Sequence, residues 1–185
     1  EFQDDKTKPL AFSPVQEPAV SFGYWRPFQM GFILLAIAGI IDENDEHRET
    51  ADLIFFPTGG GKTEAYLGLA AFTISYRRLQ TPNHSGVDIL MRYTLRLLTI
   101  QQFERSSSMV VALEAIRRTD SRLGSNPISI GVWLGGKTTP NYKKKALEDF
   151  RKGGKLEGAD SNPFLISRCP SCGAEMGFAR KRGQW

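Results

Sequence analysis

Leu53-Ile54-Phe55-Phe56-Pro57-Thr58-Gly59-Gly60-Gly61-Lys62-Thr63-Glu64 is the stretch on which the reading of this chain turns. A short apolar run enters a glycine triplet, and a lysine, a hydroxyl and a helix-like stretch over 64–78 follow. Strand, glycine loop, lysine, hydroxyl, helix is the order of a phosphate-binding loop. Glycines let backbone N–H groups turn inward around a phosphate without a Cβ clash. The helix that follows directs its positive dipole end to the same place. In that arrangement Lys62 reaches the β/γ-phosphates of ATP and the Thr63 hydroxyl ligands Mg2+. Pro57, Thr58, Gly59, Gly60, Gly61, Lys62, Thr63 and Glu64 are therefore expected around a bound ATP.

Composition is compatible with that expectation. The 185 residues suffice for one substantial domain with a small module, and an apolar share of 41% suits a globular core. The net charge of +4 is unevenly spread. From Lys137 onward there are eleven Lys/Arg against five Asp/Glu, whereas residues 1–136 carry thirteen against fifteen. A basic C-terminal third suits a polyanion, or equally a solvated lysine-rich face. The longest apolar run, 30–41, falls short of the roughly 20 residues a membrane-spanning helix needs and reads as a buried helix. No basic stretch followed by an apolar core marks a secretory signal at the N-terminus. Two cysteines in one CxxC pair beside an ATP loop suit a reducing cytoplasm.

Along the chain, 1–21 is polar and proline-containing and reads as an extended lead-in. Trp25-Arg26-Pro27-Phe28-Gln29 opens a helix, with proline tolerated in the first turn. Helices are further expected over 64–78, over 95–118 with a possible break at Ser106-Ser107-Ser108, and over 142–151. Strands are expected at 53–56, 87–93, 128–134 and 162–166, rich in β-forming residues. Alternating strands and helices predict an α/β fold with a parallel sheet, ligands gathering beyond the carboxyl ends of its strands.

Four stretches carry a resemblance to a known family. Arg26-Pro27-Phe28-Gln29 resembles the element ahead of the phosphate loop in superfamily 2 helicases, and Pro57 to Thr63 resembles their motif I. Tyr93-Thr94-Leu95-Arg96 with Gln101 occupies the place of their motif Ia, and Gly135-Gly136-Lys137 that of a Gly-Gly element near the nucleic-acid backbone. Within the superfamily, 53–69 and 92–105, with the later CxxC, look similar to the large helicases of the DISARM anti-phage systems. The resemblance implies a RecA-like P-loop ATP-binding domain over 22–160 and the start of a zinc-ribbon-like insertion over 161–185. It implies that Gln29, with Arg26, reads adenine; a carboxamide can pair with its amino and ring nitrogens. Equally, Gln29 reads as an ordinary first-turn polar residue, Arg96 as a surface charge and Gly135-Gly136 as a plain turn. By the same resemblance Tyr93, Thr94, Arg96, Gln101, Gly135, Gly136 and Lys137 touch a DNA backbone, Lys62 and Thr63 serve ATP hydrolysis, and the partner is the DISARM subunit DrmB, a DUF1998 protein. A nucleotide-kinase-type P-loop enzyme and a non-catalytic helicase-like scaffold are the alternatives.

Ile40-Ile41-Asp42-Glu43 imitates the Mg2+-holding Asp-Glu motif but precedes the phosphate loop, so it reads as a charged loop. No Asp-Glu pair follows the loop, and no second motor half supplies an arginine finger, so the chain reads as a fragment that binds ATP without turnover. Cys169-Pro170-Ser171-Cys172-Gly173 has the spacing of half a zinc site. A redox pair and two unremarkable cysteines are the other readings.

Overall fold

The structure is a computed structural model that describes residues 23–57, 59–93, 96–134, 142–153, 165–166, 168–174 and 176. Among these it contains four α-helices: α1 (Pro27–Ile41), α2 (Lys62–Gln80), α3 (Arg96–Thr119) and α4 (Lys143–Gly153). The chain divides into two units, Glu1–Tyr76 and Arg77–Trp185.

The expected parallel α/β sheet, and with it the RecA-like architecture, is not found among the described residues, which are helical. Residues 51–57, 87–93 and 127–134 are irregular, and no sheet occurs among the described residues. Residues 162–164 of the fourth expected strand lie outside the described set. Side-chain exposure gives the physical reason. Strands of a parallel sheet are buried on both faces, yet Leu53 is 87% exposed, Phe55 90% and Trp133 98%. β-Propensity measures fit to a neighbouring strand and to a buried surface, not a preference of the isolated segment. These runs have the composition of strands without the neighbours.

The helices follow from local signals. Pro27 sits in the first turn of α1, where its missing N–H is no loss. Gln29 reaches back so that its Oε1 accepts from the Arg26 N–H at 2.7 Å. The Asp42 N–H closes the far end on the Ala38 carbonyl at 3.0 Å. Beyond it, Asp42 lies in a charged turn, as its position predicts, accepting from the Asn44 N–H. α1 is apolar nearly all round, yet only Gln29 and Ile33 are buried.

In the same unit, α2 buries Ala65, Ala70, Thr73 and Ile74. Trp25 lies against this helix at Gly68: a Cβ there would stand 2.5 Å from Trp25 Cη2 and 3.3 Å from Ile33 Cδ1. Phe28 stacks on Phe56 at a centroid distance of 4.1 Å, and the Tyr76 hydroxyl donates to the Ile41 carbonyl at 3.3 Å.

In the second unit, α3 runs through the three serines without a break. The Ser107 hydroxyl donates to the Phe103 carbonyl at 2.7 Å and the Ser108 hydroxyl to Glu104 at 3.3 Å. Hydroxyls satisfied one turn back do not compete for the helix amides. Beyond α3 a single 3-10 turn, Ser121–Leu123, reverses the chain. Gly124, at φ +76°, then passes so close to the Pro82 carbonyl that no side chain fits. Asn83 fastens this contact, accepting from Ser125 and receiving the Asn126 amide on its own carbonyl at 2.9 Å. The buried Arg78 donates to the carbonyls of Asn126 and Pro127 at 2.6 and 3.3 Å.

Candidate functional site

The glycine triplet forms a turn at the start of α2, as its sequence predicts, although no strand precedes it. Gly59 and Gly61 hold φ angles of +80° and +92°, which L side chains rarely adopt. The Gly60 N–H closes the turn on the Pro57 carbonyl at 3.2 Å. Two side chains of α1's first turn then grip it. Arg26 Nη1 donates to the Gly60 carbonyl at 2.8 Å and Gln29 Nε2 to the Gly61 carbonyl at 2.7 Å.

These bonds orient the loop. A trans peptide sets its N–H opposite its C=O, and the chain has no cis bond among the described residues. With the Gly60 and Gly61 carbonyls drawn toward α1, the N–H groups of Gly61 and Lys62 face the opposite way. They join the first amides of α2, which have no acceptor within their own helix. Successive amides turned one way at a helix start form an anion-binding concavity.

Lys62 brings a positive charge to the same turn. Its Nζ donates to the carbonyls of Phe56 at 2.6 Å and Pro57 at 2.9 Å. The Phe28 ring stacked on Phe56 holds that segment against α1. The Thr63 hydroxyl accepts from the Tyr66 hydroxyl at 3.0 Å, which leaves its oxygen a lone pair for a cation. Glu64 follows in the first turn of α2. Thr58 lies outside the described residues.

Gln29 is buried, with 4% of its surface exposed. Both ends of its carboxamide are committed to backbone, Oε1 to Arg26 and Nε2 to Gly61. One Nε2 hydrogen and one Oε1 lone pair are left for a further partner such as adenine. Arg26 and Gln29 thus act directly on the shape of the glycine turn. The ring stack of Phe28 on Phe56, the seat of Trp25 on Gly68 and the Tyr66 bond to Thr63 have no motif signal that foretells them.

The candidate backbone-contact residues lie in the second unit. Tyr93 has its hydroxyl 3.8 Å from Met91 Sδ, Arg96 begins α3, and Gln101 is exposed on that helix. Thr94, Gly135, Gly136 and Lys137 lie outside the described residues.

Cys169 and Cys172 are free thiols on a tight loop. The Gly173 N–H donates to the Cys169 carbonyl and the Cys169 N–H to the Ala174 carbonyl, both at 2.8 Å. Backbone N–H groups of Cys172 and then Ser171 hydrogen-bond the Cys169 sulfur and pull its pKa below the ordinary thiol value. No group of three metal-ligating side chains occurs among the described residues.

Among the described residues no helix is long and apolar enough to cross a membrane. No protein-family model matches the chain, and no solved structure matches it. DISARM protein DrmA of Bacillus paralicheniformis (strain ATCC 9945a / NCIMB 11709 / CD-2) is 41% identical to it over 160 residues, 82% of this chain. The chain spans 14% of the length of that relative.

Proposed function

We propose, from the premise that this chain is DrmA-like, that it carries the ATP-gripping turn of a DNA helicase or translocase working in DISARM anti-phage defence. The observation behind this reading is the glycine turn itself, whose carbonyls are held by Arg26 and Gln29 at 2.8 and 2.7 Å, so that the Gly61 and Lys62 amides point the other way. The identity of 41% to a DISARM protein supplies the biological setting.

In this reading the amides of Gly61 and Lys62 receive the phosphate oxygens. Lys62 leaves the carbonyls of Phe56 and Pro57 and carries its charge to the β/γ-phosphates. The trade replaces neutral acceptors with charged ones, and charge-assisted hydrogen bonds are roughly twice as strong. Thr63 would hold Mg2+ through its hydroxyl oxygen, and the ion would supply neutralisation of phosphate charge. None of these steps requires a sheet, because the anion site belongs to the turn and the helix start. DNA is contacted through its backbone by Tyr93, Thr94, Arg96 and Gln101 and by Gly135, Gly136 and Lys137, and DrmB is the companion subunit. Backbone contacts make binding sequence-independent and salt-sensitive.

Equilibrium titration of the chain with a fluorescent ATP analogue and Mg2+ tests the reading. Saturable binding that Lys62→Ala weakens is expected. No binding at millimolar nucleotide, or binding indifferent to Lys62, overturns it.

A further inference from the structure

The CxxC loop belongs to the second unit, and its backbone is closed on itself. Four features coincide within 169–174. The loop is closed in both directions, Gly173 N–H to Cys169 C=O and Cys169 N–H to Ala174 C=O. The amides of Ser171 and Cys172 are aimed at the Cys169 sulfur. Gly173 takes φ +72° although a Cβ there would meet nothing within 4 Å, so the glycine serves the backbone and not the packing. Both thiols are free.

We propose that Cys169 and Cys172 form a preorganised half-site for a thiophilic divalent cation, Zn2+ above all. Thiolate ligands select such ions by softness. Amide donors on a ligand sulfur fix its orientation and leave lone pairs for coordination. Loading is an acid–base exchange in which each thiol gives up its proton to solvent as its sulfur bonds the metal, with no electron transferred. A redox dithiol of low pKa characteristically sits at a helix N-terminus, and no helix begins at this pair among the described residues.

Tetrahedral coordination needs four ligands. The whole sequence holds two cysteines and two histidines, His47 and His84. The histidines belong to other segments: His84 faces Asp88 at 3.1 Å and His47 sits beside Glu46. Two coordination positions therefore remain for donors from outside the loop.

Cobalt reports the site directly. The reduced chain is titrated anaerobically with Co2+, followed by sulfur-to-cobalt charge-transfer absorption in the near ultraviolet. Expected are a band that Zn2+ abolishes by displacement, release of about two protons per metal, and loss of the band in Cys169→Ser and in Cys172→Ser. Ser171→Ala keeps the band, because Ser171 contributes its amide and not its hydroxyl. Far-ultraviolet dichroism confirms that the variants keep their helices. No charge-transfer band at saturating Co2+, or one that survives loss of both cysteines, overturns the proposal. Because the readout is independent of nucleotide, its failure leaves the ATP reading untouched.

Discussion

Gln29 is hydrogen-bonded to Gly61 across 2.7 Å, a side chain in the first turn of one helix holding the last carbonyl before the next. The same carboxamide accepts from the Arg26 N–H. Removing it takes a part-buried bond from the Arg26 N–H and another from the Gly61 carbonyl, each worth about 0.5–1.5 kcal/mol. Gln29→Ala is therefore expected to lower unfolding stability by about 2 kcal/mol in urea titration. Gln29→Glu is expected to be no better at neutral pH, because it sets a carboxylate oxygen against the Gly61 carbonyl. A glutamate variant as stable as wild type counts against the bond.

Lys62→Ala is expected to lower Mg·ATP affinity at least tenfold, about 1.4 kcal/mol, while changing the melting temperature little. Its ammonium group bonds the Phe56 and Pro57 carbonyls at 2.6 and 2.9 Å, both exposed bonds. Parallel nucleotide titration and thermal melts separate the two effects. The chain by itself is expected to release no phosphate in steady state; release that Lys62→Ala abolishes contradicts this.

Gly68 admits Trp25 where a methyl group would stand 2.5 Å from the indole. Gly68→Ala is expected to destabilise the first unit by about 1–3 kcal/mol through overpacking. Adding Trp25→Leu should recover part of the loss, whereas two independent sites would only add their costs. Denaturation of the two single variants and the double variant checks this.

Glu114 predicts a pH response. The Arg117 guanidinium, hydrogen-bonded through Nε at 2.7 Å and Nη2 at 2.8 Å, holds its carboxyl down to about 2 from an ordinary 4.5. The Ile128 N–H and Arg118 pull the same way against the cost of burial. A folded-state pKa below the unfolded one stabilises the fold above the unfolded value, and that contribution is lost as pH falls through the folded value. Glu114→Gln is thus expected to be less stable than wild type at pH 7. The difference should shrink from pH 4.5 downward and vanish near pH 2, in urea titrations at stepped pH.

Gly173→Val places a β-branched residue at φ +72° without touching either sulfur. Metal affinity in the cobalt titration is expected to drop although both thiols remain. Unchanged affinity shows that the loop's backbone conformation is irrelevant to the ligands.

The helices were legible because their signals are local. Pro27 in a first turn, glycines ahead of Lys62 and a long apolar periodicity after 95 each act within a few residues. The sheet was misread because Leu53, Phe55 and Trp133 carry strand composition, while pairing and burial depend on partners that composition does not encode. The turn at Gly59–Gly61 was readable from its glycines. Its attachment was not, since Arg26 and Gln29 stand 34 and 32 residues from the carbonyls they hold.

That attachment gives the turn a mechanical handle. Arg26 and Gln29 belong to the opening of α1, so a tug on the backbone just ahead of Pro27 is transmitted through two short bonds to the peptide groups that would cradle a triphosphate. Whatever grips the chain there has a lever on the conformation of the glycine turn.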